Sequence, residues 1–232
     1  MTFIVISATA IYLYTCAEVI YYVLKKINNI QYDKKTLFIL IILFELGCIV
    51  STFTRGKDAM KDFGAMPFLV TSIIEIIFIA HFFLKSIIKK NIAYLWIVLL
   101  SSSLIIVLNP FNNIFTDNYL FINLDLFYSY QSIIITTGVL IYFFQLNTKL
   151  PSVNLMKDPI TNIAFGIFFC HIFQIALNSS YALVKIYSYM NIFLIHEKPM
   201  ENHDLLYLIS VMSYGVLNYF LRKSLFLSLT HD

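Results

Sequence analysis

Glu45, Cys48 and Thr52 recur at the spacing of one helical face, and His171, Gln174 and Asn178 do the same, each set inside an apolar run. Glu18 and Glu75 also lie within apolar runs. An ionised carboxylate among hydrocarbon is expensive, so it is kept only where it is paired, protonated or reached by water. The chemistry open to these groups is proton uptake and release. Apolar surroundings and a neighbouring carboxylate both favour the neutral acid, and imidazole changes charge near neutral pH. Glu45 and Glu75, at similar depth on neighbouring helices, are expected to hold protons or to pair with His171, His81 or Arg55. A static buried network is the equal alternative.

The His171–Gln174–Asn178 face continues through Tyr181 and Lys185. It cannot face lipid, where each unsatisfied polar group costs several kcal/mol. Interhelical hydrogen bonding, worth ~0.6 kcal/mol per bond on average, is one reading of this face. A ligand-facing wall open to the outer side is the other. Asp125, Tyr128, Gln131 and Ser132 add a polar group to the preceding run, and Tyr207, Ser210, Tyr214 and Asn218 make a face on the last one. Thr71 and Ser72 lie one turn before Glu75, whereas His81 falls on a different face. Glu18, near Lys25 and Lys26, reads as a boundary residue that snorkels or bonds to a tyrosine. The candidate ligand-binding or polar-core set is therefore Glu45, Glu75, Asp125, Gln131, His171, Gln174 and Asn178.

The elements that must position these groups are seven apolar segments, at about 3–24, 36–54, 67–87, 91–109, 119–146, 160–188 and 204–222. A span needs about 20 apolar residues, so seven of them fill nearly all 232 residues and leave no room for a separate soluble domain. The expected fold is all-α: a single transmembrane domain, 1–232, forming a seven-helix bundle. Only 12% of the residues are charged, against about 25% in soluble domains. Basic residues alternate by loop. Lys25, Lys26, Lys34, Lys35, Lys85, Lys89, Lys90, Lys149, Lys157, Arg222 and Lys223 fall on one side, and Arg55, Lys57, Lys61, Lys185 and Lys198 on the other. The positive-inside rule then places the N-terminus out and the C-terminus in the cytoplasm.

Pro67 and Pro159 sit at helix starts, where a missing N–H is harmless; Pro110, Pro151 and Pro199 fall in loops. No span is broken by proline, which counts against the broken-helix design of many transporters. The first run has no basic region before it and reads as a membrane helix rather than a cleaved signal. A net charge of +3 gives no reason to expect nucleic acid. Cys16, Cys48 and Cys170 lie one per span and read as packing residues rather than a disulfide framework. Heavy use of Ile, Phe, Tyr, Asn and Lys fits an AT-rich bacterial genome, so the membrane expected is the bacterial inner membrane. No catalytic motif is present: no HExxH, no GxSxG, no serine with an adjacent basic partner in sequence. His81, His171 and His203 lie on separate segments, so neither a metal nor a cofactor is expected. The last span lacks a lysine that could carry retinal.

The stretch 134–169 contains YFFQL at 142–146, NLMKDP at 154–159 and GIFF at 166–169. In these motifs, and in length and topology, the chain resembles small seven-helix membrane proteins of Bacteroidetes, which look like the membrane sensor modules of histidine kinases. Ile160, Thr161 and Asn162 stand where that group has an aromatic pair. The resemblance points to a signalling module but carries over neither ligand nor partner; the function expected is a non-enzymatic sensor that binds a small ligand from the outer side and acts through a cytoplasmic partner in trans, such as a histidine kinase. The lipid bilayer is the other partner expected, and a second copy of the chain is a further candidate. A small transporter or proton-coupled permease using the intramembrane Glu and His residues is the alternative.

Overall fold

The computed structural model describes residues 2–28, 32–53, 66–87, 90–108, 117–149, 157–190 and 203–227. These form seven α-helices: α1 (Thr2–Lys26), α2 (Tyr32–Phe53), α3 (Met66–Ser86), α4 (Lys90–Leu108), α5 (Asp117–Lys149), α6 (Pro159–Met190) and α7 (His203–Leu227). Each coincides with one of the apolar segments. The break between α3 and α4 falls at the lysines of 85–90. There the Ile87 amide closes the last turn of α3 on the Phe83 carbonyl at 3.0 Å, and the Lys90 ammonium caps the Leu84 carbonyl.

Four helices (α1, α2, α5 and α6) are long and apolar enough to cross a membrane. The 33 residues of α5 and 32 of α6 reach about 50 Å at 1.5 Å per residue, more than the ~30 Å of hydrocarbon. Both run without interruption.

The helices pack in chain order, each against the next, and α1 closes the ring against α7; α3 also touches α5 across it. Close approach is set by small residues. A Cβ at Gly166 would stand 2.9 Å from Phe220 Cβ on α7, and one at Gly138 would stand 2.5 Å from the Phe83 ring on α3.

Burial departs from that of a water-soluble bundle. Ile11, Val50, Ile77, Val98, Phe144, Phe173 and Phe226 are exposed, one on each helix, while Glu45, Glu75, Gln131, Asn162 and His171 are buried. Large apolar side chains exposed on every helix, over an interior that holds carboxyl, amide and imidazole groups, mark a surface that meets something other than water. With helices of this length, that is a lipid bilayer. The interior is not wholly polar: Phe38, Phe44, Phe78, Phe82 and Phe83 are fully buried there, and Phe44 stacks on Phe78 at 5.9 Å between centroids.

Candidate functional site

The polar side chains collect into two centres. The first joins α3, α5 and α6. Gln131 Nε2 donates to Glu75 Oε2 at 3.0 Å. The other oxygen, Oε1, faces His171 Nε2 at 3.6 Å, too far for a hydrogen bond. The far side of the imidazole, Nδ1, meets the Ser132 hydroxyl at 3.2 Å. One turn before Glu75, Ser72 meets the Tyr128 hydroxyl at 2.7 Å. Glu75, Gln131, Ser132 and His171 are all buried, yet Glu75 Oε1 and Gln131 Oε1 have no hydrogen-bond partner.

The chain of contacts continues along α6. Gln174 Nε2 donates to Ser213 on α7 at 2.8 Å, with a longer contact of 3.4 Å to Ser210. Asn178 Nδ2 donates back to Gln174 Oε1 at 3.3 Å. His171, Gln174 and Asn178 thus do share one interior face. His171 and Gln174 meet other helices, whereas the described partner of Asn178 is Gln174 of its own helix; both Gln174 and Asn178 are buried.

The second centre joins α1, α2 and α7. Glu45 is fully buried, against the Cys16 thiol and the Asn218 amide. Neither forms a well-aligned bond to it, and among the described residues both carboxyl oxygens are left without a hydrogen-bond partner. Asn218 Nδ2 points instead at Thr15 Oγ1, 3.1 Å away, and Cys16 Sγ, 3.4 Å away. The rings of Tyr12 and Tyr214 approach to 6.3 Å, and Tyr214 and Phe44 to 6.2 Å. The two glutamates have different hydrogen-bonding neighbours, although Cys48 and Cys170 lie near both. Glu45 turns toward α1 and α7, and Glu75 toward α5 and α6.

Other expectations resolve separately. Glu18, expected at the boundary, meets Arg222 at 3.0 Å, whose guanidinium also lies 5.7 Å from the Tyr22 ring centroid. Thr52 bonds to the Cys48 carbonyl within α2. Asp125, Tyr181, Lys185 and Tyr207 lie in α5, α6 and α7 with side chains outside those described, and Arg55 is outside the described residues. His81 is only partly buried and takes no part in either centre.

Two features were not read from the sequence. The first is the start of α6. Asp158 caps the helix, its Oδ2 accepting from the Thr161 amide and hydroxyl, both at 2.6 Å, and Thr161 in turn meets the Tyr142 hydroxyl of α5 at 3.0 Å. The signal was present: Asp followed by Pro at the first helical position and Thr two residues later is an N-terminal pattern.

The second is the order Ser132–His171–Glu75. A serine does have a basic partner, 39 positions away. Acyl transfer, however, needs a nucleophile open to substrate and donors aimed at the developing oxyanion. Ser132 is buried inside α5, where backbone N–H groups are spent on the helix itself. What the trio can do is hold and move a proton: the hydroxyl serves as donor or acceptor, so it fits either tautomer of the ring. Among the described residues no group of three or more His, Cys, Asp and Glu side chains is placed to hold a metal ion.

No family model, no curated protein and no solved structure matches the chain.

Proposed function

We propose that the protein is a sensory or signalling module of the bacterial inner membrane. In this reading all seven helices span the bilayer, the N-terminus lies outside and the C-terminus in the cytoplasm, as the lysine and arginine bias requires. The observation that carries the reading is the Glu75–Gln131–His171–Ser132 centre. It ties α3, α5 and α6 together, yet it leaves buried acceptors without partners. A fully satisfied network fixes one packing; a partly satisfied one leaves the choice of packing open to small inputs. Unbroken α5 and α6 suit a module that shifts whole helices rather than one that opens a path through broken ones.

Input arrives from the outer side, at the outer halves of α2, α5 and α6. Gln174 and Asn178 are already bonded, so a small polar ligand acts by exchanging its own hydrogen bonds for theirs. Output leaves through the face bearing Lys25, Lys85, Lys90, Lys157, Arg222 and Lys223, which meets a cytoplasmic partner such as a histidine kinase. Photo-crosslinking from Lys85 and Lys157 in native membranes, followed by mass spectrometry, tests this: recovery of a histidine kinase is expected, and recovery of no signalling protein overturns it.

A proton-coupled permease is the second reading, favoured by the bare carboxyl of Glu45. Solute uptake by proteoliposomes that is abolished by E45Q and E75Q supports it. Uptake that survives both substitutions removes these residues from any transport mechanism.

A further inference from the structure

Glu45 and Glu75 are equally buried but differently held. Around Glu45 stand Cys16 and Tyr12 on α1, Cys48 on its own helix, Asn218 on α7 and, on α6, Cys170. No lysine, arginine or histidine pairs with it among the described residues, and neither oxygen accepts a hydrogen bond. Transferring a carboxylate into such surroundings costs several kcal/mol even after relaxation. A carboxylic acid has no charge to desolvate, and its cost is that of an ordinary polar group. The two bare oxygens are therefore consistent with the acid and inconsistent with the anion.

Glu75 faces a base. The groups around it are His171 and Cys170 on α6, Gln131 on α5, Cys48 on α2 and Tyr214 on α7. One oxygen takes the Gln131 amide. The other is separated from the imidazole by 3.6 Å, a gap that closes to hydrogen-bond length with a side-chain movement of well under 1 Å. Ser132 completes the ring on its opposite side and can donate or accept there.

We propose that Glu45 is a resident neutral acid and that Glu75 and His171 hold one proton between Oε1 and Nε2, forming the proton-binding site of the core. In one state the proton is on Nε2 and the carboxylate accepts it. In the other the carboxyl O–H donates to a bare Nε2, and Nδ1 carries the ring proton toward Ser132. Nδ1 carries its proton toward Ser132 in both states, so the transfer breaks the Nε2–H bond, forms the Oε1–H bond and turns an imidazolium–carboxylate pair into a neutral ring and a neutral acid. The consequence is a division of roles: Glu45 supplies a polar but uncharged contact, and only the Glu75–His171 pair exchanges a proton with the outside.

The assignment goes beyond the signalling reading and is tested without a partner. Infrared spectra of the protein in lipid nanodiscs at neutral pH are compared for the parent, E45Q and E75Q. A carboxylic-acid carbonyl band is expected in the parent and retained in E75Q; E45Q loses the Glu45 part of it, and any band left there belongs to the Glu75–His171 pair and is gone in E45Q/E75Q. Glutamine is the isostere of the neutral acid, so E45Q is expected to fold and to melt close to the parent. An E45Q spectrum that keeps the parent's full band, absence of the band from the parent or from E75Q, or an E45Q that fails to fold overturns the assignment of Glu45. For the pair, the Nε2 nitrogen resonance of His171 is expected to move in E75Q; an unchanged resonance overturns the shared proton. Failure of any of these leaves the crosslinking result untouched, and the converse holds as well.

Discussion

Gln131→Leu is the most informative single change in the centre. The amide is the described hydrogen-bond donor to Glu75, at 3.0 Å to Oε2, while Oε1 already lacks a partner. Leucine keeps most of the volume, so the cavity contribution is small and the loss is that of the donor. Leaving a buried acceptor unsatisfied costs about 1–3 kcal/mol. Glu75→Leu strands the Gln131 amide at a similar cost. With both replaced, neither group is left stranded, so the double variant should be less destabilised than the sum of the singles. Interhelical hydrogen bonds in membranes average ~0.6 kcal/mol and reach ~1.7, while bonds to charged groups run to about 1.5–3. A short, buried bond to a carboxyl group belongs at the upper end of the membrane range, so the coupling expected is about 1–2 kcal/mol. Reversible denaturation of the four proteins in bicelles measures it directly. Additivity to within about 0.5 kcal/mol, the level seen for independent sites, would refute the claim that this bond joins α3 to α5.

Three further outcomes follow from local geometry. Gly138→Ala drives a methyl group to 2.5 Å from the buried Phe83 ring; overpacking of about 1–3 kcal/mol should exceed the ~1 kcal/mol gained in helix propensity. Gly215→Ala, with nothing within 4 Å, should keep that gain, and the same denaturation assay separates the two. Asp158→Ala removes the cap of α6 and should cost about 0.5–2 kcal/mol. Tyr142→Phe should add little on top of it, because Asp158 and Tyr142 both act through Thr161. Glu18→Gln should cost under ~1 kcal/mol, and less in high salt, because Arg222 is half exposed and such pairs are screened by solvent.

The elements were legible in the sequence because hydrophobic runs of membrane length have few alternatives to a helix. Even the division of α3 from α4 at Lys85–Lys90 could be read. The interior faces were legible too: His171, Gln174 and Asn178 share one face, as do Ser210, Tyr214 and Asn218, since a 3.6-residue period fixes which side chains point together. That period does not say which helix each face meets. The sequence sets Glu18 near Lys25 and Lys26 but not beside Arg222, and it offers Glu45 a histidine or Arg55 rather than Cys16 and Asn218. Ser132 and His171 are 39 positions apart, and only the packing of α5 on α6 joins them. Helix order around a bundle depends on close contacts such as Gly166 against Phe220, and these leave no periodic trace.

The most direct measurement follows the cytoplasmic face while the buried centre is altered. Lys85→Cys and Lys157→Cys place labels on two exposed positions at the basic ends of α3 and α6, and the native cysteines are buried. Electron–electron resonance between the two labels, in nanodiscs, then reports the spacing of the helix ends with Glu75 intact and in E75Q. If the Glu75–His171 centre sets the packing that a partner reads, the distance distribution should shift in E75Q while the helix content stays unchanged. An identical distribution in the two proteins would contradict that role.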